Sequence, residues 1–68
     1  MIKVNSSTID SIGYDSSSAV LTVKFKNNSI YEYLDVPKYV YDSIMESDSV
    51  GKAVNSELKG AYDYRKID

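Results

Sequence analysis

The apolar residues of this chain change their period once, at Asp35-Val36-Pro37, and that change limits the folds open to it more than any other feature. Residues 1 to 34 alternate apolar and polar, whereas residues 36 to 61 repeat about every four positions. Strands first and helices after give an α+β architecture. With 68 residues there is room for one domain, whose folding removes only about 60% of its surface from water. Nearly every strong apolar position is then needed for one core, and large enclosed pockets are not expected. The chain lacks both histidine and cysteine, so a disulfide, a thiolate zinc site, a cysteine nucleophile and an imidazole base are all excluded. A non-catalytic protein without metal or cofactor is the expectation. No apolar run approaches the roughly 18 residues of a membrane span, and Met1 to Ser7 carry no apolar leader segment. A cytoplasmic protein with no membrane partner follows from that reading.

The clearest strand is Ala19 to Lys26, in which Leu21, Val23 and Phe25 point one way and Thr22, Lys24 and Lys26 the other. Ile9 to Tyr14 precedes it across the polar turn Asp15-Ser16-Ser17-Ser18, an expected four-residue hairpin loop. The next hairpin is decided by Glu32. A two-residue loop at Asn27-Asn28 would set Glu32 opposite Val23 and drive an unpaired carboxylate into the core. A three-residue loop, Lys26-Asn27-Asn28 with Asn28 left-handed, instead pairs Phe25 with Ser29, Val23 with Tyr31 and Leu21 with Tyr33. The expected sheet is therefore three-stranded and antiparallel, built of two hairpins.

Asp35 or Val36 is the expected N-cap of a first helix, with Pro37 in its first turn and Val36, Val40, Ile44 and Met45 as its core stripe to about Glu46. Ser49 is the expected cap of a second helix, whose stripe is Val50, Val54, Leu58 and Ala61 and whose terminator is Gly60. Both helices are expected on one face of the sheet. Tyr62 to Arg65 reads as a short extended C-terminal tail.

Charge is shared unevenly. Residues 1–48 hold four basic and seven acidic side chains, and residues 49–68 hold four basic and three acidic, for a net −2 overall. An anion would be favoured only in the C-terminal third. There the polar stripe of the second helix gathers Lys52, Asn55, Ser56 and Lys59, which reads either as a solvated face or as a basic-amide surface for a phosphate group. Gly51-Lys52 lacks the earlier glycine and following hydroxyl residue of a phosphate-binding loop. Seven tyrosines are the other signal. Tyr31 and Tyr33 read as amphipathic core rings with hydroxyls at an edge, or as base-stacking rings. Tyr62 and Tyr64, beside Arg65 and Lys66, either stack on a ligand or fold back over the sheet. The carboxylates fall in turns, caps and polar faces, where they solubilise.

Taken together, Ser6-Ser7-x-Ile9, Ile12-Gly13-Tyr14-Asp15, Leu21-x-Val23-x-Phe25, Tyr31-x-Tyr33, Val36-Pro37-x-x-Val40-Tyr41 and Ser49-x-Gly51-x-x-x-Asn55-x-x-Leu58-Lys59-Gly60-x-Tyr62 resemble the KTSC family. That family takes its name from the C-terminus of some lysyl-tRNA synthetases, and the resemblance spans about residues 4 to 66. It implies a small bacterial or phage domain of no settled activity, for which the synthetase context suggests RNA binding. The family's characteristic positions fall on Tyr31, Tyr33, Gly51, Asn55 and Tyr62. Asn28 replaces a usual hairpin glycine, and Val54 replaces an aromatic.

The resulting expectation is a binding module holding a short RNA, a tRNA end or a nucleotide through Tyr31, Tyr33, Lys52, Asn55, Lys59, Tyr62 and Arg65. The net charge of −2 argues against tight binding to a long phosphate backbone. The competing expectation is a protein-interaction module, a homo-oligomer or a phage-type protein that occupies a host factor, using Val20, Ile30 and Leu34 on the sheet's other side.

Overall fold

Leu21 and Val23, with Tyr14 and Ile12 opposite them, hold the centre of the computed structural model of residues 1–68. The alternating apolar residues form β2 (Ile9–Asp15), β3 (Val20–Phe25) and β4 (Ile30–Tyr33), and the period-four residues form α1 (Lys38–Glu46) and α2 (Val50–Glu57). The sheet has five strands and not three. β1 (Ile2–Lys3) pairs antiparallel with β2, and β5 (Tyr64–Lys66) pairs antiparallel with β4, giving the order β1-β2-β3-β4-β5. The segment expected as a short extended tail is thus an edge strand, held by backbone bonds from Leu34 to Asp63 and between Ile30 and Ile67.

The Glu32 argument is borne out in full. Val23 faces Tyr31 and Leu21 faces Tyr33, while Phe25 donates its N–H to Ser29 at 2.8 Å across the three-residue loop. Asn28 has φ +72°, the left-handed conformation that its short side chain tolerates. In the first hairpin, Asp15 pairs with Val20, so the loop is Ser16 to Ala19, one residue later than expected. Asp15 stays outside that loop because its carboxylate accepts the Ser17 hydroxyl at 2.7 Å and the Ser17 N–H at 3.0 Å, which hold the carboxyl below its ordinary pKa.

At the sheet-to-helix junction Asp35 is not a cap. It turns the chain with φ +56°, and Pro37 occupies the N-cap position with no side-chain bond. Val36 is fully buried instead, its carbonyl accepting the Tyr14 hydroxyl at 2.6 Å, and Tyr14 stacks on Tyr41 at 5.1 Å. Tyr14→Phe removes that donor and leaves a buried carbonyl short of a partner, a loss of about 1–3 kcal/mol. Urea unfolding of the two proteins checks this, and superimposable curves would refute it. Ser49 is the N-cap of α2 by position, but the hydroxyl that meets its N–H belongs to Ser47, at 3.1 Å.

Both helices lie on one face of the sheet. The core between them comprises Ile9, Ile12, Leu21, Val23 and Tyr33 below and Val36, Val40, Ile44, Val50, Ala53, Val54 and Leu58 above. Ala61, expected in that stripe, is exposed. The chain leaves the helix after Glu57 and reverses through Gly60 at φ +79°, which carries Ala61 off the stripe, while Ala53 within the helix is buried.

Candidate functional site

Where the end of α2 meets the β3–β4 hairpin, the helical roof stops before the sheet does. Phe25, Tyr31, Tyr33 and Tyr64 are left lining an open cleft of about 520 Å³, whose rim is Asn27, Ser29, Lys59 and Gly60. The four rings arrive by three physical routes. Phe25 and Tyr31 end the core-facing side of β3 and β4 and meet edge to face at 5.6 Å. Tyr33, one pleat further in, is 3% exposed and forms the floor. Tyr64 comes from β5, opposite Tyr33, and lies over both tyrosines with centroids 5.5 Å and 5.8 Å away. It remains 59% exposed, so the edge strand presents a phenol ring that the core does not need.

Two cations flank these rings. Lys59 stands just beyond α2 with its Nζ 6.0 Å from the Phe25 ring centre, the outer reach of a cation–π contact. Lys66 faces Tyr31 across the β4–β5 ladder, on the same side of the sheet. The Asn27 side-chain carbonyl accepts the Ser29 N–H at 3.0 Å, which leaves its amide group directed outward as a donor. Aromatic faces, amide and hydroxyl groups and an ammonium can stack on a flat ring, bond its edge and neutralise an attached anion.

Burial, and after it the neighbouring phenols Tyr31 and Tyr64, raises the Tyr33 hydroxyl above its ordinary pKa. A folded pKa above the unfolded value of about 10 makes this contribution complete below that pH, and it is lost as pH climbs through the folded pKa. The urea midpoint should therefore fall between pH 9 and pH 11 by more in the natural protein than in Tyr33→Phe. Equal falls in both would show that Tyr33 plays no part.

Of the residues expected to form one site, the cleft gathers Tyr31, Tyr33 and Lys59. Lys52 does not join them, because it borders a shallow depression between the helices alongside Asp42, Glu46 and Glu57. Asn55 lies one groove away, facing Ser7 and Thr8 beyond Phe25 and Lys59. Tyr62 is half-buried against the core, and with Tyr64 it bounds a separate hollow at Gly60 and Ala61. Arg65 is on the opposite side of the sheet, its Nε donating to Glu32 at 2.7 Å. Phe25, Asn27 and Ser29 escaped the sequence reading as site residues, and Tyr64, weighed there as a stacking ring beside Lys66, was left out of the expected site together with that lysine. Phe25 carried a signal, since it ends the stripe that places Tyr31, but Tyr64 and Lys66 depend on a strand pairing with no local signature. No group of three or more carboxylate, histidine or cysteine side chains is placed to hold a metal ion, and no helix is long and apolar enough to cross a membrane.

Comparison with known proteins places this geometry in a family. The crystal structure of a KTSC domain protein from Yersinia pestis superimposes with a TM-score of 0.93 at 36% identity, covering 97% of this chain and 93% of that one. A protein of Stutzerimonas stutzeri (strain A1501) is 35% identical over 68 residues, 98% of this chain and 96% of its own length. A lysine–tRNA ligase of Nostoc punctiforme is 28% identical over 67 residues, where the chain spans 12% of the ligase's length. The KTSC domain model itself matches residues 5–62, and the chain belongs to the KTSC family.

Proposed function

We propose that this KTSC domain is a non-catalytic binding module whose aromatic cleft holds one base of a nucleotide or of a short single-stranded RNA end. The observation that carries the reading is the convergence of Tyr31 and Tyr33, each with its ring within 6 Å of Tyr64, beside Phe25 and Lys59. A base inserts its face against Tyr64 or Tyr31, its edge meets the Asn27 amide and Ser29 hydroxyl, and its phosphate meets Lys59, with Lys66 on the far side. The lining contains no carboxylate, so a lysine and phenols have no acid partner with which to move protons. That supports binding over catalysis.

One or two phosphate contacts suit a chain of net charge −2. The similarity to part of a lysine–tRNA ligase is consistent with an RNA end as the ligand. The whole chain acts as one unit in this reading, since β1 and β5 are the edges of the sheet that carries the matched residues.

Titrating the protein with adenosine monophosphate and with a short single-stranded RNA tests the proposal. Amide NMR shifts should cluster at residues 25–33 and 58–66, and the logarithm of affinity should fall against that of salt with a slope of about −0.7 to −1.4. Shifts spread evenly over the surface, or none with either ligand, would refute it.

A further inference from the structure

Five hollows open on the surface of the molecule, and the charge on their borders sorts them. The interhelical depression carries Asp42, Glu46 and Glu57, the hollow at the start of α2 carries Asp48, and the one beside Gly60 carries Asp63. The other two have no carboxylate. They are the aromatic cleft and the groove next to it, and they share Phe25, Asn27 and Lys59 as a common wall. A phosphate chain that leaves the cleft past Lys59 therefore has one neighbouring hollow to enter in which no acid repels it.

That groove measures about 500 Å³ and begins at a glycine. At Gly51 the helix α2 comes so close to the bend before β2 that a Cβ would stand 3.3 Å from the hydroxyls of Ser6 and Thr8. From that contact the groove runs to Lys59 over a floor of Ile9 and Val54, both buried. Its rim is polar, with Ser7, Thr8 and Lys26 on the sheet side and Asn55 and Lys59 on the α2 side. The Thr8 carbonyl accepts the Lys26 N–H at 2.8 Å, which holds those two rim residues side by side. The ion pairs of the chain are Lys38–Asp42 and Arg65–Glu32, so Lys26 and Lys59 have no carboxylate partner of their own. Asn55 stands exposed in mid-helix, where asparagine is a weaker helix former than alanine, and presents its amide to water. Phe25 is the one ring of the groove and is already shared with the cleft, so there is no second platform for a base. Hydroxyl, amide and ammonium groups are what a sugar and its phosphate bond.

From this continuity we infer that the groove is a second subsite, which takes the sugar and phosphate of the nucleotide adjoining the base held in the cleft. The assignment rests on the base-binding role of the cleft and narrows its ligand to a strand of at least two nucleotides. The linking phosphate passes Lys59 on the shared wall, and the next ribose and phosphate lie between Thr8 and Lys26 on one side and the Asn55 amide on the other. Backbone contacts position a strand without reading its sequence, so the identity of the second base does not matter.

Adenosine monophosphate and the RNA trimer ApApA separate the two subsites, because the trimer offers a linking phosphate and a further one whichever of its ends enters the cleft. Calorimetric titration should give the trimer about tenfold tighter binding, with a salt slope steeper by about 0.7 for the added phosphate. Amide shifts at residues 7–9 and 51–55 should appear with the trimer and not with the monophosphate. Lys26→Ala and Asn55→Ala, both at exposed positions, should each weaken trimer binding about threefold or more while the monophosphate binds as before. Lys24→Ala removes an equal charge from the reverse of the sheet and should change trimer binding by less than about twofold. A trimer held in the cleft no more tightly than the monophosphate overturns the second subsite and leaves the cleft standing, whereas a protein that binds neither overturns both. An advantage that survives either groove substitution, or that falls as far with Lys24→Ala, also overturns it.

Discussion

Shortening Leu58 to alanine will bring this protein close to its unfolding threshold. Leu58 has no exposed surface and ends α2, donating its N–H to Val54 at 3.0 Å while its carbonyl accepts the N–H groups of Ala61 and Tyr62. Its side chain anchors the last turn of the helical roof over the sheet at the point where the chain reverses through Gly60 towards β5. Truncating a buried leucine costs about 2–5 kcal/mol. A chain of 68 residues has about 3–10 kcal/mol of stability in all, at about 0.05–0.15 kcal/mol per residue. The substitution therefore removes a fifth or more of the margin. The urea midpoint should drop by at least that fraction, and the dispersed resonances of β5 should weaken first because that strand is tethered through this turn. A midpoint within error of the natural protein would show that α2 is not secured there.

Tyr31→Ala and Tyr64→Ala will each weaken nucleotide or RNA binding about 5- to 150-fold, the range expected when one base–aromatic stack of about 1–3 kcal/mol is lost. The two substitutions differ in what else they disturb. Tyr31 also packs on Phe25, so its loss carries some cost in stability, whereas Tyr64 is mostly exposed and its loss is confined to the cleft. Tyr64→Leu sharpens the comparison by keeping an apolar cover over Tyr33 while removing the aromatic face. Lys52→Ala and Arg65→Ala supply the contrast, since Lys52 borders the interhelical depression and Arg65 is paired with Glu32 on the reverse of the sheet. Both should bind within about twofold of the natural protein. Calorimetric titration with the same RNA decides the matter: losses at Lys52 or Arg65 equal to those at Tyr31 and Tyr64 would move the site out of the aromatic cleft.

Much of the fold could be read because it is governed by groups close together in sequence. Glu32 chose the register of its hairpin, since the alternative placed a charge against Val23, and Asn28 and Gly60 sit at left-handed positions for the same local steric reason. The α2 stripe ran one position too far because helical periodicity carries no record of where the chain must turn back to reach the sheet. Asp35 misled for a related reason: an aspartate two residues before a proline has the composition of a cap, but the chain there needed a left-handed turn to bring Val36 under Tyr14.

The candidate site was only partly legible. Tyr31, Tyr33 and Lys59 followed from register and helix spacing, which place side chains relative to near neighbours. Arg65 was grouped with them because it is close to Tyr62 and Tyr64 in the chain, although strand alternation in β5 sends it to the opposite side from Tyr64. A strand of three residues cannot announce that alternation beforehand.

Local pattern in the chain was enough for the class of fold, the central three-stranded pairing and most of the core face of both helices, because period, charge exclusion and turn chemistry act over a few residues. Tertiary structure alone decided that Ile2–Lys3 and Tyr64–Lys66 become edge strands. It thereby decided that Tyr64 completes an aromatic cleft while Arg65 leaves it. Backbone pairing between distant segments needs no side-chain pattern of its own. It requires only that a folded neighbour present unpaired N–H and C=O groups, and those exist once β2 and β4 are in place.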